Sequence, residues 1–136
     1  MTEPIQVVQW VVEAAEQRKA LNVVVLDLRK ISLIADYFVV CSGRSTVQVK
    51  AIAEFIEDYL ETKGVFVLHR EGKREGQWSL LDYGAVVVHV FRDEERRFYA
   101  LESLWADAEL MESFSVEGAK DLEYGSNKIA RSRVDF

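Results

Sequence analysis

Few side chains in this sequence are of the types that carry out catalysis or bind transition metals. Cys41, His69 and His89 are the strongest soft-ligand candidates, and their positions lack the close paired spacing of a zinc site. Cys41 ends an apolar segment and is typical of a small buried hydrophobic residue. A Cys–His nucleophile pair needs a third orienting group, and none stands out. We therefore predict no catalytic residue, no metal site and no cofactor.

A phosphate-binding loop is the next chemistry to consider. The segment Ser42-Gly43-Arg44-Ser45 joins a predicted strand to a helix N-terminus, where free N–H groups can hold a phosphate. A strand end followed by a glycine turn and a serine helix cap would have the same sequence, so a purely structural role is favoured over phosphate binding. A nucleotidyltransferase would also need acidic residues that hold divalent metal. The predicted strand Val65–His69 has no acid, and Asp82 is a single candidate.

The segment Gln77–Trp105 contains a predicted hairpin with unusually large side chains. A two-residue turn at Tyr83-Gly84 would fix three cross-strand pairs: Trp78 with His89, Leu80 with Val87, and Asp82 with Ala85. Strand alternation then gives one face of mixed character: Trp78, Leu80, Asp82, Val87, His89 and Phe91. The other face is aliphatic and is the natural core side: Leu81, Val86, Val88 and Val90.

Two explanations of the mixed face remain open from the residues alone. A second helix layer could cover it, or it could be an exposed interaction surface with aromatic anchors and a polar edge. The last predicted helix begins after Asp93 and carries a core-facing stripe of Phe98, Leu101 and Trp105. Tyr99 and Glu102 fall off that stripe, which is typical either of a solvated face or of an interface.

The elements that position these residues follow the order α-β-β-α-β-β-β-α. The first helix starts near Pro4, the second is capped by Ser45 with Gln48 at capping-box spacing, and the third follows Asp93. The predicted strands are Val23–Leu28, Tyr37–Cys41, Val65–His69, Trp78–Asp82 and Ala85–Phe91. Because a helix separates the second and third strands, a parallel crossover is allowed. We predict an α/β fold with a mixed five-stranded sheet and flanking helices.

Composition limits the classes of function. The 136 residues suit one domain at 1–109, followed by a C-terminal extension at 110–136 that reads as a tail. A net charge of −6 disfavours DNA binding through a basic surface and suits a basic protein partner, although charge alone favours plain solubility as its explanation. The single cysteine excludes an internal disulfide. No apolar run predicts a membrane span, and the N-terminus does not resemble a secretory signal, so we predict a cytoplasmic protein.

Several separated motifs together resemble the ribosomal silencing factor family, RsfS or Iojap. In order they are DYFVVCSG at Asp36–Gly43, EG at Glu71-Gly72, WSLLDYG at Trp78–Gly84, VVHVF at Val87–Phe91 and RFYALESLW at Arg97–Trp105. The resemblance implies a nucleotidyltransferase-like fold without transferase chemistry. It also implies binding to the large ribosomal subunit through its uL14-family protein, which blocks docking of the small subunit and lowers translation during starvation. Some family members form homodimers when free.

The resemblance assigns roles to five residues. Trp78 and Leu80 would be apolar anchors against the ribosomal protein, Asp82 and Glu102 would meet its Arg or Lys side chains, and Tyr99 would join them. Ala85 departs from the family, which commonly has an acid at that position. Two alternatives stay open: a nucleotide-binding or nucleotidyltransferase-type enzyme that uses Ser42–Ser45, and a homodimeric interaction module in ribosome assembly.

Overall fold

Two helices pack on one face of a mixed β-sheet. The computed structural model describes residues 2–30, 32–72 and 77–93, together with the backbone of 109–110. The helices are α1 (Pro4–Gln17) and α2 (Thr46–Thr62). The strands are β1 (Leu21–Asp27), β2 (Tyr37–Gly43), β3 (His69–Glu71), β4 (Trp78–Asp82), β5 (Val86–Arg92) and β6 (Glu109–Leu110).

The strands lie side by side in the order β3-β4-β5-β2-β1-β6. The central pair, β2 and β5, is parallel, and the other neighbouring pairs are antiparallel. The predicted mixed α/β architecture with five strands is therefore confirmed, with the two-residue β6 added at the β1 edge. The third predicted helix lies outside the described residues.

Local sequence signals explain where the helices begin. Pro4 occupies the first turn of α1, where its missing N–H leaves no bond unmade. The Ser45 hydroxyl caps α2 by accepting from the Gln48 N–H at 3.1 Å. The Gln48 side chain in turn accepts from the Arg44 N–H at 2.7 Å, so the predicted capping arrangement is formed with one residue of offset.

The core lies between the helices and the sheet. Leu60 and Ile56 of α2, Val11 of α1, and Val39 and Val88 of the central strands are all fully buried there. The aliphatic hairpin face predicted from alternation, which includes Leu81 and Val90, belongs to the same cluster. Helix periodicity and strand alternation therefore identified the core side correctly.

The third predicted strand was misplaced. The apolar run Val65–Leu68 suggested a strand, but regular pairing with β4 begins at His69 and ends at Glu71. Phe66 and Leu68 are exposed, so the run is a connection rather than a buried strand. An apolar run of this length does not by itself distinguish the two.

The predicted hairpin register is also wrong, by two residues. The Tyr83 N–H donates to the Val86 carbonyl at 2.9 Å, so the two-residue turn is Gly84-Ala85, with Gly84 at φ +92°. The observed pairs are Trp78 with Phe91, Leu80 with His89, and Asp82 with Val87. A shift of two keeps every side chain on its predicted face, because the strand repeat is two.

The C-terminal part of the chain is described only at β6. Leu110 pairs with Leu26 of β1 and Glu109 pairs with Asp27, so β6 straddles the predicted boundary at 109/110. The division into a domain at 1–109 and a tail-like extension at 110–136 stays a prediction. In the described part of the chain, no helix is long and apolar enough to cross a membrane.

Candidate functional site

The candidate site lies on the sheet face opposite α1 and α2, which we call the distal face. The strand registers place on it side chains from five strands: His69 and Glu71; Trp78, Leu80 and Asp82; Val87, His89 and Phe91; Phe38 and Val40; Val24 and Leu26. Three predicted site residues, Trp78, Leu80 and Asp82, are therefore neighbours on one strand of this face.

Burial differs between the two sides of the distal face. At the β1 side, Val24, Leu26 and Val40 are buried in a second apolar cluster. At the β3 side, Leu80 is half-buried and Glu71 is exposed. The accessible part of the distal face is therefore the part that contains Trp78, Leu80 and Asp82, the predicted site residues on β4.

Trp78 is supported by a row of rings. Its ring lies 6.0 Å from that of Phe91 at an interplanar angle of 14°, and 6.5 Å from the imidazole of His89 at 10°. Phe38 packs against His89 at 4.7 Å on the other side. Near-parallel rings at such distances are offset stacks, an arrangement that aromatic pairs prefer. Trp78 is half-buried, whereas His89 and Phe91 are buried, so Trp78 is the accessible end of this row.

His89 is buried at 6% exposure and supplies no chemistry to the site. Among the residues that the structure describes, neither of its ring nitrogens has a hydrogen-bond partner, and burial lowers the pKa of His89 to about 4. The imidazole is consequently neutral at pH 7 and acts as one more ring in the row. His89 lies opposite Leu80 on the neighbouring strand, and its role is that of a packing residue.

Asp82 has a structural bond as well as a charge. Its Oδ1 accepts from the Gly84 N–H at 2.8 Å, which holds the two-residue turn. Asp82 is half-buried, and within the described residues its Oδ2 makes no hydrogen bond.

Sequence reasoning missed the contribution of β3 to this face. Glu71 lies opposite Leu80 and His69 lies opposite Asp82, and His69 Nε2 is 2.7 Å from Glu71 Oε2. Arg70 points to the other face, where its Nε donates to Glu57 of α2 at 2.5 Å. The misplaced third strand hid this alternation, and the signal that could have revealed it was the polar triplet His-Arg-Glu before a glycine.

The remaining predicted residues stand as follows. Tyr99 and Glu102 lie outside the described residues, so their roles stay predictions. Ala85 is in the turn, and its carbonyl accepts from the N–H groups of Asp36 at 2.7 Å and Tyr37 at 3.0 Å. A side chain without charge at this position leaves Asp82 as the acid of the turn.

The geometry gives little support to the alternative chemistries. Cys41 pairs with Val90 and Val40 pairs with His89, so Cys41 and His89 project from opposite faces of the sheet. In the segment Ser42–Ser45, the Ser45 hydroxyl and the Arg44 N–H are both used in the cap of α2. The ranges that the structure describes contain no group of three acidic, His or Cys residues able to hold a metal ion.

Comparison with known proteins identifies the family. A family model described as "Ribosomal silencing factor during starvation" matches residues 1–134. The chain belongs to the ribosomal silencing factor family. Ribosomal silencing factor RsfS of Bacillus subtilis is 44% identical over 115 residues, which are 85% of this chain and 90% of that protein. This confirms the resemblance drawn from the motifs.

Two further relatives extend the comparison of ribosomal silencing factors. A crystal structure of a Chromobacterium violaceum protein superposes with a TM-score of 0.75 at 34% identity, covering 90% of this chain and 99% of that one. A mouse protein named "Mitochondrial assembly of ribosomal large subunit protein 1" is 29% identical over 72% of this chain and 44% of its own length. The names of the bacterial and mouse relatives describe regulation or assembly of ribosomes rather than catalysis.

Proposed function

We propose that this ribosomal silencing factor binds the large ribosomal subunit and keeps the small subunit from joining it. The observation that carries the proposal is the family match over residues 1–134. The name of the mouse relative, which refers to the ribosomal large subunit, supports that subunit as the partner. The proposal includes the uL14-family ribosomal protein as the contact and a fall in translation, for example during starvation, as the result.

The accessible part of the distal face is the proposed contact surface. Trp78 and Leu80 provide the apolar centre, and Asp82 provides a charged edge for Arg or Lys of the partner. Tyr99 and Glu102 belong to the proposed surface on the strength of their motif. The protein's net charge of −6 favours encounter with a basic partner.

The proposed mechanism is steric and requires no turnover. A protein bound at the joining surface of the large subunit occupies space that the small subunit must enter, so occupancy alone sets the effect. We therefore propose a non-enzymatic factor without cofactor or metal, acting in the cytoplasm. The nucleotidyltransferase-like description of its fold, and a homodimer in the free state, stay predictions within this proposal.

A subunit-joining assay tests the proposal. Purified small and large subunits are mixed in Mg²⁺ buffer with increasing amounts of the protein, and joining is followed by light scattering. We expect joining to fall in proportion to the large subunits occupied, and co-sedimentation to place the protein with large subunits. Unchanged joining at saturating occupancy would refute the blocking role, and absence of co-sedimentation would refute the partner.

Two variants of Asp82 distinguish its hydrogen bond in the turn from the effect of its charge on binding. Asp82→Asn keeps an oxygen for the Gly84 N–H, so we expect unchanged folding stability and a loss of affinity for large subunits of about 1 kcal/mol. Asp82→Ala removes the turn bond as well, so its free energy of unfolding should fall by ~1 kcal/mol. Chemical denaturation and co-sedimentation at two salt concentrations measure both quantities.

Asp58→Asn, an exposed position on α2, is the matched control and should leave binding unchanged. If Asp82→Asn binds large subunits as tightly as the wild-type protein at low salt, the carboxylate serves only the turn.

A further inference from the structure

Gly72 lies where the chain leaves β3 and meets Trp78. Regular pairing between β3 and β4 ends at Glu71 opposite Leu80. The next residue, Gly72, has φ +75°, a backbone conformation that glycine adopts without the strain imposed by a Cβ atom. The backbone conformation at the end of β3 therefore depends on a residue without a Cβ atom.

The approach of Gly72 to Trp78 is unusually close. A Cβ atom built on Gly72 would lie 2.5 Å from the Trp78 carbonyl oxygen and 3.0 Å from Cε3 of its ring. Both the backbone and the ring of Trp78 would have to move to make room, and the carbonyl oxygen has no flexible end to give way. Gly72 thus touches Trp78 from the β3 side, whereas Phe91 and His89 form the row of rings beside it.

We propose that Gly72 is a positioning residue for Trp78, fixing the orientation in which this ring is presented to the partner. The inference rests on the proposed function, since the orientation of Trp78 matters for binding only if Trp78 contacts the large subunit. A ring held in its bound orientation loses less conformational freedom on association, which strengthens binding without any added contact.

Gly64 offers a matched control. It has φ +81°, close to that of Gly72, but a Cβ atom built on it meets nothing within 4 Å. Gly64→Ala and Gly72→Ala therefore impose similar backbone strain, and only Gly72→Ala pushes on Trp78. A difference between the two variants reports the contact rather than the strain.

The first measurement is the indole N–H signal of Trp78 in a ¹⁵N correlation spectrum. The chain has three tryptophans, and Trp78→Phe identifies the signal of interest. We expect Gly72→Ala to move or broaden this signal and Gly64→Ala to leave it in place. An unmoved Trp78 signal in Gly72→Ala would overturn the inference whether or not the protein binds ribosomes.

The second measurement is the affinity for purified large subunits by co-sedimentation. We expect Gly72→Ala to bind roughly 3- to 10-fold more weakly and Gly64→Ala to bind as the wild-type protein does. Equal weakening in both variants would assign the effect to strain and overturn the positioning role. So would wild-type affinity in Gly72→Ala despite a displaced Trp78 signal.

The proposed function and this inference can fail separately. Wild-type affinity in Trp78→Ala would refute the anchor, while the Trp78 signal still reports whether Gly72 sets the ring. If Gly72→Ala does not fold, relaxation of the Trp78 indole N–H in the wild-type protein decides. An order parameter below ~0.6 overturns the inference. A higher one supports it only together with a nuclear Overhauser contact between the Gly72 Cα hydrogens and the ring hydrogen on Trp78 Cε3, and absence of that contact also overturns it.

Discussion

Trp78→Ala is expected to lower the affinity for large ribosomal subunits by ~2 kcal/mol or more, which is about 30-fold or more in the dissociation constant. Trp78 is the largest side chain on the accessible part of the distal face, and its ring is stacked on Phe91 and His89. A supported, half-buried aromatic residue at the centre of a contact is typical of a binding hot spot. Truncation removes both its contact area and the order of the ring row.

The affinity of Trp78→Ala is measured by co-sedimentation at several protein concentrations, with thermal unfolding to confirm a folded variant. Trp10→Ala is the matched control, because Trp10 is also half-buried but packs against the helix-side core, away from the distal face. Trp10→Ala should lose stability and keep its affinity. Undiminished co-sedimentation of a folded Trp78→Ala variant would remove Trp78 from the proposed contact.

A pH-dependent loss of stability is the second large effect that we expect. Burial lowers the pKa of His89 to about 4, whereas an unfolded histidine has a pKa of ~6.5. Between these values the unfolded chain binds a proton that the folded protein does not, so acid favours unfolding. The stability contributed by neutral His89 is present above pH ~6.5 and is lost as the pH falls through the folded value. From pH 7 to pH 4 the free energy of unfolding should fall by about 3 kcal/mol.

Urea denaturation of the wild-type protein and of His89→Leu at both pH values measures this loss. The leucine in His89→Leu cannot titrate, so the free energy of unfolding of this variant should lack the pH dependence that His89 causes. Subtracting its pH dependence from that of the wild-type protein cancels the contribution of the carboxylates. His69→Gln is the control, because His69 is exposed in its pair with Glu71. Equal pH dependence in wild-type and His89→Leu proteins would show that His89 is protonated or solvated in the folded state.

Most of the fold could be predicted because its signals are local. Pro4 and Ser45 are side chains that favour helix starts, and strand alternation separates core residues such as Val88 from distal residues such as His89. The register of the hairpin could not be predicted, because Tyr83-Gly84 and Gly84-Ala85 both place the glycine in a two-residue turn. The pairing of Tyr83 with Val86 decides between the two turns, and that pairing depends on tertiary packing rather than on the local sequence.

The site could be predicted in part. A register error of two residues does not change which side chains share a face of the hairpin. Trp78, Leu80 and Asp82 were therefore placed on one face correctly. The neighbours Glu71 and His69 were missed, because their position depends on where β3 begins to pair, and apolar letters before it suggested an earlier start. Burial across the face could not be predicted either, since it depends on which strands become edges and which become central.

The parallel pairing of β2 with β5 has a consequence for how the chain acquires its structure. These central strands are joined only through α2, β3 and β4, so the middle of the sheet closes late in synthesis, after Arg92 has left the exit tunnel. A nascent chain that ends before Val86 already contains α1, β1, β2, α2, β3 and β4, but it lacks β5, which pairs with both β2 and β4. Contacts between such distant segments slow folding, and the centre of the sheet is complete only when β5 has joined both β2 and β4.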